Sequence, residues 1–202
     1  MARVTVVDSG TGNLFSLREA FRRAGASVHV TRSPDGVRDA SCLVIPGVAS
    51  FPSVVQGIAN VRRALLAAVE GGVPLFGVCA GMQALFESSE EGPGAGLALL
   101  PGRVAELRAN IVPHMGWTRL RTTRDPWFDG LPPDPMVYYA HSFAAPADGA
   151  AVVATSEHAG PFAAAVRTDR VFGVQFHPEK SGRLGAAILR GFLREAGVVR
   201  SA

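Results

Sequence analysis

Residues 74–86 read PLFGVCAGMQALF: an apolar run ends at Cys79, with Gly77 and Gly81 two residues to either side. PLFGV has the character of a buried strand, and the stretch from Ala80 through Phe86 reads as a helix. A chain that passes from strand to helix across one residue must bend sharply there. Glycine two positions away on each side lets neighbouring backbone approach. This G-x-nucleophile-x-G form is that of a nucleophile elbow, with Cys in place of Ser. The helix behind the bend aims free N–H groups and the positive end of its dipole at the sulfur, which favours thiolate over thiol. The competing reading is a thiol packed in a core, the commoner fate of a free cysteine. Cys42, in SCLVIPG, fits that reading. At Cys79 the flanking glycines would weaken a core strand with no packing in return.

Outward from the elbow, the first half alternates strand and helix. ARVTVVD (2–8), SVHVT (27–31) and CLVIPG (42–47) read as strands, and RRALLAAVE (62–70) as a helix. After the turn SGTGN, Leu14, Leu17, Phe21 and Ala24 recur at helical spacing, with Ser16-x-x-Glu19 as a capping box. Such alternation predicts an α/β fold: an open, mostly parallel sheet with helices on both faces. The second half changes character. RVAELR, MVYYAHSF, AAVVATS, FAAAVR and VFGVQFH follow at short spacing and predict an antiparallel strand extension or a mixed sheet. GRLGAAILRGFLREAG (182–197) closes the chain as an amphipathic helix, while EEGPGAG (90–96) and DPWFDGLPPDP (125–135) read as surface loops.

The chain has 202 residues, 48% of them hydrophobic, and a mean hydropathy of +0.20. It reads as one domain, 1–202, able to bury a sizeable core. No apolar run reaches the ~18 residues of a membrane span, and MARVTVVDSG lacks the marks of a signal peptide. Two cysteines are too few for a disulfide framework or a zinc site, so a reduced, cytoplasmic setting is expected. A net charge of +3 and a pI near 9.4 invite a nucleic-acid reading. The basic residues are scattered, however, and no stretch interleaves them with aromatics as a base-stacking surface would. Gly10-Thr11-Gly12 lacks the third glycine of a dinucleotide fingerprint, with Phe15 in its place.

A nucleophilic cysteine needs a base and a group to orient it. Of the five histidines, His29 alternates with apolar residues and faces solvent on this reading, and His158 sits in the turn SEHAGP. His177 differs: it ends VFGVQFH and is followed by Pro178, Glu179 and Lys180. In an extended segment residues two apart share a side, and Pro178 discourages the preceding histidine from entering a helix. Glu179, so placed, can take the Nδ1–H of His177, set its tautomer and stabilise the imidazolium, the alternative being a surface HPE turn with no partner. Oxyanion donors are sought in LVIPGVASF (43–51), a strand running into a loop that would leave the same sheet edge as Cys79. An ordinary strand-ending turn remains the alternative there.

Together, GVCAGMQ, PGVASF, PHMGW, YYAHSF and VQFHPEKS resemble the class I, triad-type glutamine amidotransferases. Within them the chain is most similar to the family of glutaminase subunits of imidazole glycerol phosphate synthase, over nearly its whole length. HPE alone is shared widely; MGW together with HPEKS is far more specific. The resemblance implies glutamine hydrolysis without metal or cofactor, through Cys79 as nucleophile, His177 as base and acid and Glu179 as orienter. It places the oxyanion peptide at Gly47 and Val48, substrate contacts at Gln83, Ser142 and Phe143, and a partner interface at Asn13, Trp117 and Lys180. The implied partner is a (β/α)₈ cyclase subunit that receives ammonia in histidine biosynthesis, as a heterodimer. Glutaminases of anthranilate or pyridoxal phosphate synthesis and a non-catalytic subunit of the same fold are the alternatives. The chain departs from the family at Ala49 (usually Gly), Thr118 (usually Asn) and Ala80 (usually a larger aliphatic). Ala49 bears on any rotation of the Gly47–Val48 peptide, since alanine resists conformations that glycine permits.

Overall fold

A computed structural model describes residues 2–122 and 125–198; positions 1, 123–124 and 199–202 of the expected domain lie outside the described residues. The first half runs β1 (Ala2–Val7), α1 (Leu14–Arg23), β2 (Ala26–Thr31), α2 (Pro34–Arg38), β3 (Leu43–Ile45), α3 (Phe51–Gly57), α4 (Arg62–Glu70), β4 (Leu75–Val78) and α5 (Ala80–Gln83). The second half runs β5 (Ser88–Ser89), β6 (Arg103–Glu106), β7 (His114–Arg119), β8 (Arg121–Thr122), β9 (Met136–His141), β10 (Phe143–Ala144), β11 (Val152–Glu157), β12 (Pro161–Arg167), β13 (Val171–Val174) and α6 (Gly182–Glu195).

The main sheet has the order β2-β1-β3-β4-β13-β12-β11-β8. Pairing is parallel from β2 through β13 and antiparallel beyond it. The α/β architecture with an antiparallel extension is therefore the one read from the pattern. One part differs: β7 pairs with β9 in a separate two-stranded sheet, and β10, β6 and β5 make a third small one. MVYYAHSF thus belongs to neither edge of the main sheet but is divided between the two small ones at Ser142.

The central strands, β3, β4 and β13, are buried at every residue, as strands covered on both faces should be. Alternation sends Phe76 to one face, where it stacks on Phe192 of α6 at 4.6 Å between ring centroids. Leu75 points to the other face, in the core with α3 and α4. Gly77 and Gly173 are opposite each other across β4 and β13. A Cβ at Gly77 would lie 2.7 Å from Met82 backbone, and one at Gly173 would lie 2.7 Å from the Met82 side chain. Paired glycines in adjacent strands leave a trough into which the turn after Cys79 settles.

Three local expectations change. The N-cap of α1 is Asn13, whose side chain accepts from the Ser16 N–H, so Ser16 lies inside the helix and caps nothing. The helix after the elbow is a single turn ending at Gln83 rather than Phe86. The segment at 125–135 is not merely a surface loop: Trp127 is buried and its Nε1–H donates to the Ile188 carbonyl at 3.0 Å. Two adjacent large aromatics, Trp127 and Phe128, bury enough apolar area to pull that loop onto α6. Short α2 and α3, each opened by a serine cap and a proline, escape a reading based on long periodicity.

Candidate active site

Because β3, β4 and β13 are parallel neighbours, the segments leaving their C-terminal ends emerge on one rim. These segments carry Pro46–Val48, Cys79 and Gln175–His177 respectively. Cys79 has φ 53° and ψ −115°, the left-handed backbone that a non-glycine residue adopts only where its surroundings demand it. The surroundings are on hand. The Cys79 N–H donates to the Val174 carbonyl of β13 at 2.8 Å, and its own carbonyl accepts from Gln83 at 3.0 Å. A Cβ at Gly81 would lie 2.0 Å from the Ile45 carbonyl oxygen, so only glycine lets the turn pack this close to β3.

His177 is held by β9. Its N–H donates to the Tyr138 carbonyl at 2.8 Å, and the Ser181 hydroxyl donates to the His177 carbonyl at 2.7 Å while accepting from the Tyr138 N–H at 3.0 Å. Glu179 lies in a one-turn 3-10 segment, Pro178–Lys180, rather than in extended chain, and still reaches back. His177 Nδ1 meets Glu179 Oε1 at 2.8 Å, with both side chains almost fully buried. The carboxylate accepts, so Nδ1 carries the proton and Nε2 is left for the sulfur. Burial alone would lower the affinity of His177 for a proton. Its hydrogen bonds to Cys79 and Glu179, and the charges of both, outweigh that and push it up to about 10. The second Glu179 oxygen, Oε2, is buried without a hydrogen-bond partner among the described residues, so the carboxylate depends on the imidazolium for compensation.

A cleft of about 380 Å³ opens beside the sulfur, lined by Val48, Gln83, His141, Ser142 and Phe143 among others. Gln83 Nε2 donates to the Phe143 carbonyl at 2.7 Å and to Gln175 Oε1 at 3.1 Å, and Gln175 Nε2 donates to Cys79 Sγ at 3.6 Å. The Ser142 carbonyl accepts from the Leu107 N–H at 2.9 Å. Gly47 packs against the Ala80–Gly81 peptide, where a Cβ would lie 2.7 Å from the Gly81 nitrogen. The Val48 N–H, however, donates to the Thr11 carbonyl at 2.9 Å and is spent there. An oxyanion could use it only after that bond broke. Ala49 lies outside the left-handed region in this conformation.

Of the residues expected at a partner face, Trp117 and Lys180 meet on Tyr138. The Trp117 ring contacts Tyr138 edge-on at 6.1 Å, and the Lys180 ammonium lies 5.4 Å from the Tyr138 centroid. Asn13 opens α1, which packs on the Pro178–Lys180 turn. Trp117 stays 52% exposed, and Met115 64%, values that leave large apolar side chains in water.

Glutamine amidotransferase class-I is the family whose profile matches residues 5–196 of this sequence. The chain belongs to that family. Among curated proteins, an imidazole glycerol phosphate synthase subunit HisH of Natronomonas pharaonis is 44% identical, covering 95% of this chain and 94% of that protein. A HisH of Methanothermobacter thermautotrophicus is 39% identical over 94% of this chain and 97% of its own length. Among solved structures, a crystal structure described as glutamine amidotransferase superposes with a TM-score of 0.77 at 22% identity, covering 96% of this chain and 98% of that one. PurLQS from Thermotoga maritima gives a TM-score of 0.75 at 20% identity, with the same coverage. At such identities the structures speak for the amidotransferase fold.

Sequence reasoning passed over several residues of this candidate site. Gln175 sits two residues before His177, and that period-2 spacing was the available signal for a side chain on the same rim. The Ala80 N–H, the first of the turn after the nucleophile, has no intrahelical acceptor by position and is the expected second oxyanion donor of an elbow. His114 and His141 are buried beside the cleft; they lie within PHMGW and YYAHSF, but neither was given a role.

Proposed function

We propose that this amidotransferase is the glutaminase subunit of an imidazole glycerol phosphate synthase. It hydrolyses glutamine to glutamate and ammonia and delivers the ammonia to a (β/α)₈ cyclase subunit. The observation that carries the reading is the Cys79–His177–Glu179 arrangement on a strained elbow, in a chain whose curated relatives bear that name.

The Cys79 thiolate attacks the side-chain amide carbon of glutamine, forming the C–S bond and placing the electron pair on oxygen. The Ala80 N–H receives part of that charge, and the Val48 N–H joins it once released from Thr11. Collapse of the intermediate breaks the C–N bond. His177, already protonated at neutral pH, gives its Nε2 proton to the leaving nitrogen, and ammonia departs from a γ-glutamyl thioester. His177 then takes a proton from water, whose oxygen attacks the thioester carbon; glutamate leaves and the thiolate returns. Glu179 stabilises the imidazolium in each half-reaction.

Ammonia released into bulk water at neutral pH becomes ammonium, which is not a nucleophile, so the product needs a sheltered route to its acceptor. The exposed Met115 and Trp117, with Lys180 on Tyr138, supply an apolar patch with a cation at its edge for the cyclase to cover. Steady-state glutamine turnover of the purified chain, alone and with the cyclase, tests the reading. Low turnover alone and a large rise in the complex are expected. High turnover unaffected by the cyclase, or capture of a different synthase in its place, would overturn it.

A further inference from the structure

Beside the triad, the buried polar groups form one file whose every proton can be placed. His141 Nδ1 lies 2.9 Å from the Phe143 carbonyl oxygen. A carbonyl only accepts, so Nδ1 carries the hydrogen and, in a neutral ring, Nε2 is bare. That bare nitrogen is 3.0 Å from His114 Nδ1, which must then be the donor. His114 Nε2 is bare in turn and accepts from the Thr118 hydroxyl at 2.7 Å. The Phe143 carbonyl accepts a second bond, from Gln83 Nε2, and the amide bonds continue through Gln175 to the Cys79 sulfur. The imidazole of His158 stacks on His114 at 4.4 Å and spends Nε2 on the Ile111 carbonyl. The ring nitrogens of His114 and His141 are thus committed to one another and to protein oxygens.

Both central rings are neutral at ordinary pH. Burial, the leading cause, lowers His141 to about 3; the Phe143 carbonyl opposes this, while His114, His158 and His177 add to it. Burial and His158 lower His114 to about 4. A protonated His141 would present an N–H where His114 already donates, and the file would break.

We propose that His141 is a positioning residue for glutamine. Held in its Nδ1–H tautomer by His114 and Thr118, it fixes the Phe143 carbonyl and, through it, the Ser142–Phe143 backbone and the Gln83 side chain at the substrate subsite. This rests on the glutaminase reading above. Ser142 is the bend at which β9 passes into β10, without strand pairing of its own. The Ser142 carbonyl is held by Leu107 and the Phe143 carbonyl by His141 and Gln83, so the bend is fixed by these bonds. Among the described residues the triad meets this file at Gln175 and, through the Cys79 carbonyl, at the Gln83 N–H, and makes no hydrogen bond to His141, His114 or Thr118. Its loss therefore weakens glutamine binding more than it slows the chemistry.

Three measurements test this. Long-range ¹H–¹⁵N spectra of the full chain report ring tautomers directly. His141 and His114 are expected as neutral Nδ1–H forms, unchanged from about pH 5 to about pH 8. An Nε2–H tautomer or an imidazolium at His141 would overturn the proposal. In the complex, His141→Phe keeps a ring but removes the donor, and KM for glutamine is expected to rise about tenfold or more with kcat within about threefold. His141→Asn, whose side-chain N–H replaces Nδ1–H, should restore most of the loss, and Thr118→Val should give a smaller rise in KM. Labelling of Cys79 by a diazoketone analogue of glutamine should slow in parallel, while alkylation by iodoacetamide should not. An unchanged KM, equal loss in the Asn and Phe variants, or a matching fall in iodoacetamide alkylation would each count against positioning. Should His141→Phe not fold, the spectra and Thr118→Val still decide. If the wild-type complex neither turned over glutamine nor took the diazoketone, the glutaminase reading would fail while the tautomer result stood.

Discussion

His177 and His141 are both nearly buried, at 2% and 6% exposure, and both line the working side of the sheet rim, yet their proton affinities are driven in opposite directions. His177 is pushed up to about 10 and His141 down to about 3. Burial acts on the two rings with the same sign. The difference is what each ring faces. His177 has a buried carboxylate at 2.8 Å and the thiol of Cys79, both negative when ionised. His141 has a neutral carbonyl, a neutral imidazole and, among the described residues, no carboxylate partner. The same residue type is thus held protonated at one position and neutral at the other. On the proposed mechanism, the side that carries Cys79 uses a proton that moves, and the side that carries Phe143 one that stays.

The largest test of that contrast removes the proposed nucleophile. Cys79→Ser should lower glutamine turnover in the complex by a factor on the order of 10⁵ or more, as loss of a nucleophile does in other triads. Cys42→Ala should leave turnover unchanged and cost only stability, because Cys42 is fully buried in the core with its thiol pushed up to about 12 by burial. Equal effects of the two changes would mean that the elbow has no special role.

Removing the carboxylate is next in size. Glu179→Gln keeps the shape but leaves Cys79 alone to oppose burial at His177, so its proton affinity should fall and turnover should drop by roughly 10²- to 10⁴-fold. A ring titration of His177 unmoved by the change would show that Cys79 alone sets its charge.

The smallest effect is on stability, and its sign differs for the two rings. With its value raised from 6.5 to about 10, His177 contributes stability that is complete below pH 6.5 and is lost as pH rises through about 10. His141, lowered from 6.5 to about 3, is held neutral, so acid favours the unfolded chain progressively from pH 6.5 down to about 3. Thermal melts across pH should show the alkaline limb flattened in His177→Gln and the acid limb flattened in His141→Asn. The same limb flattening in both variants would erase the distinction.

Much of the rim was legible one-dimensionally. Apolar runs of strand length alternating with helical periodicity required parallel order, and parallel order sends consecutive strand ends to one edge. Gly77 and Gly81 around Cys79 announced a bend, and their contacts with Met82 and the Ile45 carbonyl give the reason. Residues whose role comes from partners distant in sequence were not legible. His114 and His141 are 27 positions apart and meet only because β7 and β9 pair in register at those residues. Gln175 reaches a sulfur 96 positions away. Trp127, read as part of a loop, is buried because α6 folds back over it. The occupied Val48 N–H depends on Thr11, in a loop that Gly12 lets lie against Pro46.

By itself, then, the order of residues determined the α/β alternation, the cysteine bend and the His177–Glu179 pair, because each depends on backbone geometry within a few positions. Folding in three dimensions decided which imidazole is held protonated, that the Val48 N–H is occupied by Thr11, and which groups the Phe143 carbonyl meets. Those properties belong to the neighbours a group acquires across the sheet, and electrostatic and hydrogen-bonding energies act over ångströms of space rather than along the chain.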